Sequence, residues 1–153
     1  VTIDVTQQAS LGAADVDAAG ARIAGVIEPS PLHLCERLSR ATGRQVYLKR
    51  EDLQAVRSYE LRGAFNLMAQ LTDAERAVGV VCASAGNHAQ GVAFAGRRLG
   101  ISARIYLPRA TSRQKRDRIA VHGGEWVELI LAGDTYDDPP VPWPLPRCPR
   151  SRN

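Results

Sequence analysis

"CASAGNHAQGVAFA", residues 82–95, decides the fold. Cys82 and Ala83 close a run that begins at "AVGVV", Ser84, Ala85 and Gly86 make a small polar turn, and a helix is expected from about Asn87. A strand passing through a tight turn into a helix is half of a βαβ unit. In an open parallel sheet ligands bind at the carboxyl ends of the strands, and the free amides of a helix amino terminus attract an anion. A carboxylate or a phosphate is therefore the natural guest of residues Ser84 to His88. The same residues leave a plainer alternative open, an ordinary βα turn in which Ser84 or Asn87 caps the helix and holds nothing.

The alternation continues outward from this stretch. Strands are expected at 77–83, 103–108 ("ARIYLP") and 125–130 ("EWVELI"), with helices from Asn87 to Leu99, followed by Gly100, and from Ser112 to His122, followed by Gly123. Short β-branched runs separated by helices of this length predict an α/β fold built on a parallel sheet. On the amino-terminal side, Ser58 is placed to cap a helix whose apolar positions Leu61, Ala64, Phe65, Met68 and Leu71 follow helical spacing and which should end near Thr72. A strand is expected at 45–50. Before it, Pro29 and Pro31 predict a turn leading through Leu32, Leu34 and Leu38 into a short helix ended by Gly43, and an amphipathic helix is expected from Asp15 to about Ile23.

Bulk properties narrow the function classes. The 153 residues, 44% of them hydrophobic, suffice for one modest core, and the charged fraction of 24% with mixed signs argues against wholesale disorder. Most of the net charge of +4 comes from Arg147, Arg150 and Arg152, which have no acid near them, so the body is almost neutral. A neutral body lacks the broad basic face that nucleic-acid binding needs. The helix "SRQKRDRIAVHG" concentrates Arg113, Lys115, Arg116 and Arg118, but Asp117 interrupts the charge, and Gln114, Ile119 and Val121 leave only a narrow apolar stripe; a solvated face is expected. Cys35, Cys82 and Cys148 form no metal or disulfide pattern, and His33, His88 and His122 have no ligand cluster, so no metal site is expected. Without an apolar run of membrane length or a signal-like amino terminus, a cytoplasmic protein with no membrane partner is expected.

Three regions follow: an amino-terminal segment 1–25, a folded lobe 26–138, and a tail 139–153 that is expected to be disordered. The tail "PPVPWPLPRCPRSRN" carries six of the nine prolines. Proline removes backbone donors and cannot join a sheet or helix interior. The abrupt change where another helix is due is what a shifted reading frame produces; a polyproline recognition peptide is the other reading.

"PLHLCERLSRATGRQVYLKREDLQAVRSYELRGAFN", followed by "VVCASAGNHAQGVAFA" and "TSRQKRDRIAVHGGEWVELI", resembles the amino-terminal half of the threonine dehydratase (threonine ammonia-lyase) family of fold-type II pyridoxal-phosphate enzymes. The resemblance runs through residues 26–138. It implies an incomplete parallel-sheet βαβ lobe of the tryptophan synthase β-like architecture, because the family's glycine-rich phosphate loop and the residue facing the pyridine nitrogen lie beyond the point where the tail begins. It also implies pyridoxal 5'-phosphate as cofactor, an amino acid (threonine or serine) as substrate, assembly into a homo-oligomer and a place in isoleucine biosynthesis. Ser84, Ala85, Gly86, Asn87 and His88 match the loop that binds the substrate carboxylate, Asn87 also matches a contact to the phenolic oxygen of the cofactor, and Tyr59 matches an aromatic position beside its ring.

Residue 60 matches the catalytic lysine that forms the Schiff base and moves protons at the substrate's α-carbon. Here it is Glu60. An imine needs a primary amine, which a carboxylate does not supply. Lys49 is the nearest other amine in sequence and is expected to pair with the acids that follow it. An acid in the first turn of a helix is itself favourable by about 0.3–1 kcal/mol, so Glu60 is compatible with local folding while removing chemistry. The family reaction takes L-threonine to 2-oxobutanoate and ammonia, and the chain alone is expected to be inactive. The alternatives are a serine dehydratase- or racemase-like relative, or a non-catalytic module that binds an amino acid or pairs with a homologue.

Overall fold

The structure is a computed structural model that describes residues 11–134. The proline-rich tail and Cys148 lie outside the described residues. Helix α1 (Ala13–Ile23) opens with Asp15 accepting a hydrogen bond from the Gly12 amide at 2.9 Å and packs on the next long helix through Arg22 Nε, which donates to Asn66 Oδ1 at 2.7 Å.

Strands β1 (Leu32–Leu34) and β2 (Tyr47–Lys49) then pair antiparallel, with His33 opposite Leu48, and flank the short helix α2 (Glu36–Thr42). This corrects the expected path of Leu32 and Leu34 into a helix. Their spacing of two is a strand spacing, and only Leu38 belongs to α2. The predicted strand at 45–50 is β2, shortened at both ends.

Helix α3 (Glu60–Ala69) buries Leu61, Ala64, Phe65 and Met68, four of the five stripe positions read from the sequence, and Leu71 lies past its end. It stops at Ala69, and a separate helix α4 (Asp73–Val78) follows. Ala77 and Val78, expected in a strand, belong to α4. The cause is a capping box in which the Thr72 hydroxyl accepts from the Glu75 amide at 3.3 Å and the Glu75 carboxylate accepts from the Thr72 amide at 2.8 Å.

From there β3 (Val80–Ala83), α5 (Asn87–Leu99), β4 (Ala103–Leu107), α6 (Arg113–Gly123) and β5 (Val127–Leu131) form a three-stranded parallel sheet of order β3-β4-β5. The expected α/β class and parallel sheet are present. Glu125 and Trp126, expected in the last strand, instead form a 3-10 turn with Gly124. Strand β4 is buried along its whole length, and Ile101, Ile105, Leu107, Leu61 and Ile119 make the innermost layer. Helix α5 is buried from Ala89 to Gly96, the behaviour of a helix covered on all sides by α3, α6 and the sheet. On α6 only Ile119 and Gly123 are buried; Val121 is exposed, so the apolar stripe is narrower than expected, and Arg113 pairs with Asp117 at 3.5 Å on a solvated face.

Candidate functional site

Two helix beginnings meet at the site, those of α3 and α5. They come together because α5 has no side chain at Gly91: a Cβ there would lie 3.1 Å from the carbonyl carbon and oxygen of Glu60 and 3.1 Å from the Leu61 amide nitrogen. The contact sets the backbone of residue 60 directly against the helix that begins at Asn87.

The turn Ser84–Gly86 leaves β3 with the Ser84 amide donating to the Tyr106 carbonyl of β4 at 3.2 Å, which fixes it to the carboxyl edge of the sheet. Ser84 Oγ accepts from the Gly86 amide at 3.2 Å. The cap position of α5 is Gly86, and no side chain caps the helix. Neither Ser84 nor Asn87 therefore plays the capping role of the plainer reading. The first turn of α5 presents its positive end beside Asn87 and His88, both exposed, while Ala85 is buried beneath.

Opposite stands the segment leading into α3. Gln54, Val56 and Ser58 are buried in alternation, and Gln54 Nε2 donates to the Glu28 carbonyl at 2.8 Å. Arg57 has φ of 57°, the sole positive φ of a non-glycine residue among the described residues, and it lies one residue before Ser58. Strain of this kind, about 1–3 kcal/mol, is retained where the surroundings impose it, often at a functional corner. Ser58 does not cap α3 as expected. The cap position is Tyr59, without a side-chain bond, and the Ser58 hydroxyl is buried with no hydrogen-bond partner. Tyr59 is 66% exposed.

Glu60 begins α3 and turns its carboxylate toward α5. Burial raises its pKa, but the Ser58 hydroxyl, its own backbone amide, the Asn87 side chain and the charge of His88 outweigh burial and leave it below the ordinary carboxylate value. It is therefore charged at neutral pH. Oxygen Oε2 is nevertheless shielded from solvent without a hydrogen-bond partner. Ser58 and Asn87 favour the charged form from beside it, but neither completes a bond to that oxygen.

A partly buried ion pair fixes this corner. Arg62 donates from Nε to Glu51 Oε2 and from Nη2 to Glu51 Oε1, both at 3.0 Å, and the Ser30 hydroxyl donates to Glu51 Oε1 at 2.5 Å. The Arg62 contact, with help from Ser30 and Lys49 against the cost of burial, holds Glu51 below the usual carboxylate range. A depressed folded-state pKa means that the stabilisation is fully present above the unfolded carboxyl value of 4.5 and is lost as pH falls through the folded one. Denaturation midpoints followed from pH 7 into the acid range should therefore fall below about pH 4.5, and the fall should be shallower in Glu51→Gln.

Lys49 donates to the Ser30 carbonyl, and the acids expected to pair with it are taken by arginines, Glu51 by Arg62 and Asp52 by Arg50; Lys49 reaches Glu51 only as the weakest of the influences on that carboxylate. Beside the site, an apolar cavity of about 560 Å³ runs along the edge of β3 between α3 and α4, with Cys82 of β3 in its wall and touching the Ser84–His88 turn only through His88. Burial raises the Cys82 thiol to about 11, so it is protonated and unreactive at neutral pH. Among the described residues no group of three or more His, Cys, Asp or Glu is placed to hold a metal ion, and no helix is long and apolar enough to cross a membrane.

The structure thus brings Tyr59, Glu60, Ser84, Ala85, Gly86, Asn87 and His88 to one corner. Sequence reading treated Ser58 as a cap and missed it as part of the site. The signal was its place in the alternation of buried residues that precedes Glu60.

The chain is similar to known proteins in both sequence and fold. A family model described as "Pyridoxal-phosphate dependent enzyme" matches residues 23–140. The L-threonine dehydratase biosynthetic IlvA of Mycobacterium tuberculosis is 62% identical over 128 residues, 84% of this chain and 30% of that protein. Its counterpart from Corynebacterium glutamicum is 59% identical over 126 residues, 82% of this chain and 29% of that protein. The processed form of threonine deaminase isoform 2 from Solanum lycopersicum superposes with a TM-score of 0.70 at 42% identity, covering 83% of this chain and 36% of that one. Maize serine racemase superposes with a TM-score of 0.74 at 30% identity, covering 80% and 36%. The chain spans about 30% of the length of the curated relatives it matches.

Proposed function

The chain belongs to the pyridoxal-phosphate dependent enzyme family, and on that premise we propose that it is a threonine dehydratase-like lobe, residues 26–138, that retains the amino-acid recognition turn and has lost the covalent chemistry. The family's cofactor is pyridoxal phosphate. The observation that carries the reading is the carboxylate of Glu60 at the meeting point of α3 and α5, facing Asn87 and His88.

The residues present do not fit a covalently held cofactor. Capture of an aldehyde needs a primary amine. The sequence contains two lysines, Lys49 and Lys115; the first donates to the Ser30 carbonyl and the second lies exposed on α6. Neither is among the groups acting on the Glu60 carboxylate. Residue 60 corresponds in this reading to the Schiff-base lysine, so no catalytic step is assigned to it.

What remains is recognition. The uncapped first turn of α5 and the turn Ser84–His88 hold the carboxylate of an amino acid, threonine or serine, through backbone amides and the helix dipole, and by the resemblance Asn87 and Tyr59 correspond to residues beside the cofactor ring. The ancestral reaction in this reading is the conversion of L-threonine to 2-oxobutanoate and ammonia.

Incubation of the pure chain with pyridoxal phosphate and borohydride should leave no adduct at residue 60, and L-threonine should yield no 2-oxobutanoate. Sustained turnover would overturn the reading. Glu60→Lys should introduce a trappable adduct there, because it supplies the one missing functional group for capture.

A further inference from the structure

We propose that the Ser58–Glu60 corner and the first turn of α5 form a non-covalent site for a free α-amino acid, whose ammonium group is held by Glu60 and whose carboxylate is held by the Ser84–His88 turn. The inference rests on the proposed carboxylate role of that turn and adds the ammonium subsite.

Two unsatisfied polar atoms stand side by side. Glu60 Oε2 is shielded from solvent without a partner, and so is Ser58 Oγ, on a residue only 7% exposed. A shielded charged oxygen without a donor is costly, and the cost is relieved when a donor arrives. The nearby arginine and lysine are committed elsewhere, Arg62 to Glu51 and Lys49 to the Ser30 carbonyl, and His88 acts on Glu60 by its charge without bonding Oε2. The first turn of α5, across the Gly91 contact, has the opposite need, since its amides have no side-chain cap and call for an acceptor.

The guest must therefore donate at one end and accept at the other, within the span of two adjoining helix starts. A simple anion would meet the charge of Glu60, and a simple amine would meet the positive end of α5. A zwitterionic amino acid answers both, because its ammonium brings three donors and its carboxylate lies two bonds away. Glutamate at residue 60 replaces capture by a covalent bond with capture by charge. A lysine there would repel the ammonium of a free amino acid.

Calorimetry of the full chain without pyridoxal phosphate tests this with three probes: L-threonine, 3-hydroxybutanoate, which lacks the amine, and 1-aminopropan-2-ol, which lacks the carboxylate. Threonine is expected to bind, with each analogue about tenfold weaker or more, the loss of one charge-assisted contact. Glu60→Gln should weaken threonine by a similar factor and bind 3-hydroxybutanoate at least as tightly as the parent does, because the charge that opposes a simple anion is gone. Ser58→Ala, which keeps the charge and the fold, should weaken threonine by a smaller factor, and Glu60→Lys should abolish its binding. Equal binding of threonine and 3-hydroxybutanoate, with Glu60→Gln neutral, would overturn the ammonium subsite while sparing the carboxylate turn. Absence of binding by all three probes at millimolar concentration overturns both.

Discussion

Chemical denaturation of Gly123→Ala is expected to show a midpoint far below that of the parent, a loss of about 1–3 kcal/mol or more. A Cβ at Gly123 would lie 2.1 Å from Val127 Cγ2, 2.6 Å from Val127 Cβ and 3.3 Å from Ala93 Cβ. The end of α6, the start of β5 and the middle of α5 meet at that point, and none has an exit, since Gly123 is itself buried. Rotating the Val127 side chain relieves the first contact and leaves the second, which belongs to its own Cβ. Val127→Ala in the same chain should therefore recover only part of the loss. Full recovery would show that the clash is absorbed by the side chain and not by the helix.

Leu61→Ala is expected to cost about 2–5 kcal/mol, the cost of emptying a fully packed leucine site. Leu61 is 1% exposed and follows Glu60 directly, at the place where α3 meets α5 through Gly91. Domains of this size are stable by only about 5–15 kcal/mol, so a loss of this order removes a large share. The loss should also reach the site, because residue 60 is positioned by the packing that Leu61 completes. Urea titration read by far-UV circular dichroism gives the stability, and threonine binding under folded conditions gives the second effect. A variant that loses stability but binds threonine as the parent does would place the positioning of Glu60 in the Glu51–Arg62 pair instead.

Much of this was legible in the sequence because it rests on local patterns. The turn after β3, the long helix from Asn87 to Leu99 and the buried strand "ARIYL" announce themselves by short β-branched runs, small residues and a glycine behind the helix, Gly100 with φ of 65°. The antiparallel pairing of β1 with β2 did not, because three residues per strand carry too little periodicity, and all six positions are exposed. Helix α4 was legible and was overlooked: Thr72 and Glu75 are spaced as a capping box, but the apolar run after them reads as strand.

For the site, the residue types were determined by the sequence alone: a carboxylate at position 60, a turn of small polar residues before α5, and lysines only at 49 and 115. Chemical identity is a property of the chain, independent of the fold. That Glu60 faces Asn87 and His88, that its Oε2 and the Ser58 hydroxyl lack partners, and that Lys49 is committed to Ser30 were decided by tertiary structure. Those facts depend on the close approach of α3 and α5 at Gly91, a contact between residues some thirty positions apart, and no local periodicity records which distant backbone a missing side chain admits.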